Sequence, residues 1–126
     1  MEDNKYGYNP FNTSQPKNND DKLLEKFYLI INKAKELKAE GNQFYVKEKY
    51  VEASLRYEGA LEAITHNMLS DLYALDPKGS FQSLMNLKKE CKLNLALMFL
   101  KLKKYHEAIQ ECNDVFFFLF IGHHTN

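Results

Sequence analysis

The stretch Leu37-Lys38-Ala39-Glu40-Gly41-Asn42-Gln43-Phe44, followed by Tyr50-Val51-Glu52-Ala53 and Tyr57-Glu58-Gly59-Ala60, decides the fold, because its pattern returns later in the chain. The second copy is Leu95-Ala96-Leu97-Met98-Phe99, then Tyr105-His106-Glu107-Ala108 and Glu111-Cys112-Asn113-Asp114-Val115. Counted from Gly41, an aromatic stands at +3 (Phe44), Ala53 at +12, Tyr57 at +16 and Ala60 at +19. Counted from Ala96, the same offsets give Phe99, Ala108, Cys112 and Val115. Small residues let two helices approach closely, and aromatics fill the space between them. A repeated helical hairpin of this kind implies an all-α fold of stacked units.

Working outward, residues 1–20 are rich in Asn, Asp, Lys and Pro, with Tyr6, Tyr8 and Phe11 as the large apolar groups. Such a segment buries too little surface to offset its ordering entropy, so it is expected to be disordered, a linear motif around residues 6–11 being the alternative. Asp20 or Asp21 is the expected N-cap of a helix whose apolar face is Leu23, Leu24, Phe27, Ile30, Ile31, Ala34 and Leu37, running to about Lys47. Glu48-Lys49-Tyr50 forms a tight turn. The next helix begins near Val51 and meets no breaker before Asp76-Pro77-Lys78-Gly79, so it is expected to reach Leu72 or beyond. Ser80 is a natural N-cap for a helix ending near Leu102. Lys103-Lys104 makes the second turn, and the last helix starts near Tyr105. The expected architecture is four main helices in two antiparallel hairpins with an N-terminal helical extension.

The pattern resembles the tetratricopeptide repeat family, over about residues 31–68 and 87–115. The first copy matches at Gly41, Phe44, Ala53, Tyr57 and Ala60. The second matches at Ala96, Phe99 and Ala108, then departs, with Cys112 where an aromatic is usual and Val115 where Ala is usual. Gly41 and Ala96 lie 55 positions apart, against a family period of about 34. The extra length lies between the copies, and similar lengthening marks the repeat domains of large immunophilins, which the run from Lys92 to Leu102 also resembles.

The resemblance implies protein–protein interaction through the groove of the first helices of each hairpin. In the co-chaperone subgroup that groove holds a carboxylate clamp for the acidic C-terminal tail of heat-shock chaperones. Its first-repeat signature is matched by Lys38, Gly41 and Asn42, and its second-repeat signature by Asn94, two before Ala96. Lys38 and Asn42 stand one helical turn apart and share a face. An ammonium supplies charge to a terminal carboxylate and amides supply direction. The clamp normally adds a Lys and an Arg from a third repeat, which these residues do not supply. The expected function is therefore a partial-clamp, co-chaperone-like module. The alternatives are a scaffold or self-associating repeat protein with an unrelated partner, and a fragment of an immunophilin-type peptidyl-prolyl isomerase lacking its catalytic domain.

Composition narrows the field. The chain has 126 residues, one small domain plus tails, with 44% hydrophobic residues. Lysine plus arginine equals aspartate plus glutamate at 17 each, so no global basic field recommends nucleic acid. Cys91 and Cys112 have no CxxC or metal spacing and read as reduced core residues of a cytoplasmic protein. Residues 1–21 are too polar for a signal peptide, and no run reaches the ~20 apolar residues of a membrane helix. No Ser-His-Asp, Cys-His, phosphate-loop or paired-carboxylate constellation is visible, so no enzyme activity, cofactor or metal is expected, and His123-His124 is too slight to suggest one. Phe44, Tyr45, Tyr50 and Tyr57 read as core rather than as a ligand box. Residues 21–115 form the expected repeat domain. Residues 116–126 read as an apolar, then polar tail, with Val115-Phe116-Phe117-Phe118-Leu119-Phe120-Ile121 exposed as a contiguous apolar run that drives association. A truncated or misread gene product is the first explanation of that run; a genuine short isoform and a docking tail are the others.

Overall fold

A computed structural model describes residues 18–124. Among these residues all regular structure is helical: α1 (Asn19–Val46), α2 (Tyr50–Ala63), α3 (His66–Leu75), α4 (Ser80–Lys101) and α5 (Tyr105–His124). Helix α1 packs on α2, α4 on α5, and α2 on α4, so two hairpins stack side by side, while α3 touches both α1 and α4. The all-α expectation and the N-terminal extension, continuous with α1, are what the structure shows.

The two hairpin turns are the same object built twice. Glu48 and Lys103, each seven residues after the small residue of its repeat, have φ of 60° and 62°. In the first turn Lys49 N–H donates to the Phe44 carbonyl (2.9 Å) and Glu48 N–H to Tyr45 (2.9 Å). In the second, Lys104 N–H donates to Phe99 (2.7 Å) and Lys103 N–H to Leu100 (3.1 Å). This double closure satisfies carbonyls that the helix end would otherwise leave unpaired. Neither turn uses glycine, so each holds a side chain in the left-handed region at a cost of ~1 kcal/mol.

Four boundaries differ from the sequence expectation. Asn18, not Asp20 or Asp21, caps α1, its Oδ1 accepting from Asp21 N–H at 2.7 Å. Residues 18–20 therefore belong to the helix and its cap; the rest of the segment expected to be disordered lies outside the described residues. The helix after the first turn does not run to Leu72 but stops at Ala63. Ile64 turns extended and buries its side chain, and the Thr65 hydroxyl accepts from Met68 N–H at 3.1 Å to start α3. Ser80 is not a cap. Gly79 holds the N-cap position without a side-chain bond, and the Asp76 carboxylate accepts from Ser80 N–H (2.9 Å) and Gly79 N–H (3.0 Å), which hold it below the usual carboxylate range. A Cβ on Gly79 would stand 2.7 Å from that carboxylate and would push it aside. Finally, residues 116–124 are not a tail but the continuation of α5. Nor is the run uniformly exposed: Val115 is buried, while Phe116, Phe117 and Leu119 face solvent.

The core has two parts. At one end Phe27, Ile31 and Ala34 of α1 meet Leu84, Leu87 and Cys91 of α4, with Ala60 of α2, Ile64 just beyond that helix and Leu72 of α3 between them. At the turn end, Ala53 and Tyr57 of α2 meet Leu95 and Met98 of α4, with Phe44 and Phe99 alongside. Each fully buried large apolar side chain contributes ~1.5–3 kcal/mol. Gly41 makes this packing possible, because a Cβ there would lie 2.6–2.9 Å from the Tyr57 ring. Of the four aromatics expected in the core, Tyr57 is 1% exposed, Phe44 and Tyr50 are partly buried, and Tyr45 is exposed. Both cysteines are free thiols, but only Cys91 is buried; Cys112 is exposed, contrary to the expectation, because its face of α5 is turned away from α4.

Candidate functional site

The sequence pointed to Lys38, Asn42 and Asn94. The structure places the first two on α1 and the third on α4, along a cleft of about 380 Å³ between these helices. Asn94 Nδ2 reaches Asn42 Oδ1 at 3.5 Å, the outer limit of a hydrogen bond. Lys38 Nζ, one turn before Asn42, donates to Glu90 Oε1 at 2.7 Å, and Glu90 stands one turn before Asn94. Both cross-groove pairs span 52 residues, so α1 and α4 run parallel here and face each other in two successive rungs.

The rungs are held from beneath. Tyr57 O–H donates to Asn42 Oδ1 at 2.6 Å, fixing the amide with its oxygen toward the core. Burial pushes the Tyr57 phenol above its ordinary value, with the Cys91 and Tyr45 side chains adding to it, so it is a hydrogen-bond donor at any physiological pH. On the far side of α2, Arg56 Nε donates to Glu40 Oε1 (2.9 Å) while its guanidinium lies 5.1 Å from the centre of the Phe44 ring, clasping α2 to α1. The groove itself is polar: Lys35, Ser83 and Asn86 line it beside the residues already named.

Glu90 and Tyr57 are the participants that sequence reasoning missed. A glutamate on an exposed helix face has no signature of its own. The signal was the register: once Asn42 is set against Asn94, the same 52-residue offset sets Lys38 against Glu90. The ion pair leaves Lys38 half-buried at 25% exposure and Glu90 open at 53%, so it contributes ~1 kcal/mol at most.

A second cleft, about 410 Å³, lies between α2, α4 and α5 and contains none of the expected site residues. Lys92 bridges it to Asp114 (2.9 Å) and Glu111 (3.3 Å). Burial acts to lower Lys92, but the bond to Asp114 and the charges of Glu111 and Asp114 outweigh it and hold the ammonium above the ordinary lysine value. Its neighbour Lys88 is lowered, first by burial and then by the charge of Lys92, with Asp114 opposing. Among the described residues no group of three or more His, Cys, Asp and Glu could hold a metal ion, and no helix is long and apolar enough to cross a membrane.

No family model matches the chain, and no solved structure matches it. A peptidyl-prolyl cis-trans isomerase, FKBP42 of Arabidopsis thaliana, is 37% identical to it over 79 residues, which is 62% of this chain and 20% of that protein. The chain thus spans about a fifth of the length of this relative.

Proposed function

We propose that the chain is a tetratricopeptide-type interaction module whose α1–α4 groove takes the C-terminal carboxylate of an acidic peptide, the chemistry of a heat-shock chaperone tail, in a cytoplasmic setting and without catalysis of its own. One observation carries the reading: residues 52 positions apart in sequence converge as paired rungs of one groove, with the cation at one rung and two amides at the next. Similarity to an isomerase of the FKBP type supports a repeat domain of immunophilin kind; with a fifth of that protein spanned, its isomerase activity is not carried over.

In this reading the peptide carboxylate replaces Glu90 on Lys38, and Asn42 and Asn94 hold its oxygens and the adjacent backbone. Charge-assisted hydrogen bonds are worth ~1.5–3 kcal/mol, so Lys38→Ala costs about tenfold or more in affinity. Glu90→Gln removes the competitor and strengthens binding several-fold. Titration calorimetry with a peptide ending Glu-Glu-Val-Asp, as free acid and as C-terminal amide, tests this. Preference for the free acid, lost in Lys38→Ala and enlarged in Glu90→Gln, is the expected result. Equal binding of acid and amide overturns it. The Lys38–Glu90 pair, in which Lys38 already has a carboxylate partner, would then favour the second reading, a scaffold for a partner that presents no carboxylate.

A further inference from the structure

The 55-residue register of the internal repeat sets each residue of α2 against one of α5. Tyr50, Ser54, Tyr57, Leu61 and Ile64 correspond to Tyr105, Ile109, Cys112, Phe116 and Leu119. Along α2 and just past its end this stripe is covered: Ser54, Tyr57 and Ile64 are 5%, 1% and 4% exposed. On α5 the same stripe is bare: Tyr105, Ile109, Phe116 and Leu119 are 57%, 58%, 70% and 53% exposed, and Cys112 is exposed too. The register also sets Leu93, Leu97 and Leu100 of α4 against Lys38, Asn42 and Tyr45, and these three leucines are exposed beside the stripe. A face built to be covered is thus apolar and open.

We infer that this face pairs with the same face of a second copy, α5 against α5 in antiparallel orientation about a two-fold axis. Three features commit it to that occupant. The stripe repeats at alternating four- and three-residue spacing, the seam of paired helices. Seven large side chains, each roughly half exposed, offer ~100 Å² apiece on the scale of large apolar residues, or ~700 Å² in all. That exceeds the ~300–600 Å² patch of an ordinary monomer and approaches the ~800 Å² per partner of a stable interface. Finally, the flanks of the α5 stripe carry no repelling charge. Ala108 and Val115 border the stripe on the buried side, and His106 and Asn113 on the other, while Glu107 and Asp114 fall on the opposite side of the helix and Glu111 is turned to Lys92. An isologous contact uses this same face on both copies and so closes at two.

Cys112 is the middle residue of the stripe, so a two-fold axis through its centre brings the two Cys112 thiols together, while Cys91 stays buried. The test is sedimentation of the full chain over a range of concentrations, with oxidative or bismaleimide cross-linking read on denaturing gels. A monomer–dimer equilibrium is expected, with a Cys112-dependent cross-linked dimer. Ile109→Glu with Phe116→Glu should abolish both and leave the circular dichroism unchanged. Leu29→Glu with Val46→Glu, on exposed residues outside the face, should leave the dimer intact. A monomer at all concentrations means that the face serves a different partner and overturns the inference. So does an open-ended aggregate, or a dimer that neither cross-links through Cys112 nor responds to Ile109→Glu with Phe116→Glu.

Discussion

The hairpin of α1 and α2 and the hairpin of α4 and α5 share one register and one turn, yet they are held together by different means. In the first, Tyr57 fills the space under Gly41, reaches through to Asn42, and is sealed by α4. In the second, Ala96 stands where Gly41 does, and Cys112 replaces the ring. The charged clasp is inverted as well: the first hairpin uses an α2 cation, Arg56, on an α1 carboxylate, and the second an α4 cation, Lys92, on two α5 carboxylates. A repeat therefore conserves backbone geometry more strictly than side-chain chemistry. Glycine is needed where a ring must lie against the helix, and a methyl is tolerated where the ring is gone.

The sharpest way to break this comparison is at the ring. Tyr57→Ala should cost ~3–5 kcal/mol in urea unfolding, whereas Cys112→Ala in dilute protein should stay within ~0.5 kcal/mol. Comparable losses at both would mean that the two hairpins are sealed alike. A smaller effect belongs to the glycine. On helix propensity alone Gly41→Ala would gain ~0.5–1 kcal/mol, but overpacking against the ring costs ~1–3 kcal/mol, and the clash wins. The substitution should therefore destabilise by ~1 kcal/mol and turn stabilising in a Tyr57→Ala background. An unchanged penalty in that background would show that the ring is not the cause. Smallest of all are the turns. Glu48→Gly and Lys103→Gly each relieve a left-handed side chain, worth ~1 kcal/mol, less the entropy glycine adds to the unfolded chain, ~0.5 kcal/mol. Each should stabilise by about 0.5 kcal/mol, and by the same amount. Opposite signs would end the claim that the turns are equivalent.

The hairpins themselves were legible because their turns are set by local chemistry, with the aromatic and the small residue at fixed distances from Glu48 and Lys103. The break at Ile64–Thr65 was not. No Gly or Pro marks it, every residue there tolerates a helix, and it exists because burying Ile64 and capping with Thr65 outweigh one more turn of α2. Ser80 has the chemistry of a cap but became the first residue of α4, because the Asp76 carboxylate upstream already accepts two N–H groups of that turn. Residues 116–124 misled because an unbroken apolar run has no helical period to read, although the helix separates its faces once Val115 is anchored. In the groove, Lys38, Asn42 and Asn94 were visible through the resemblance. Glu90 required the register of α1 against α4, which is a property of the packed pair and of neither helix alone.

Cys91 lies where α1, α2 and α4 converge, fully buried, its thiol pushed up to about 11 by burial, with the Lys38 charge opposing and that of Glu90 adding. In the closed molecule it is both inaccessible and protonated, and the thiolate is the reactive form. In dilute protein, where the α5 faces are unpaired, an alkylating reagent therefore modifies the exposed Cys112 at once and reaches Cys91 only during the moments when α4 lifts from α1 and α2. With Cys112 already blocked, the rate of the slow alkylation becomes a stopwatch for that excursion, and its dependence on urea separates a local lift from global unfolding.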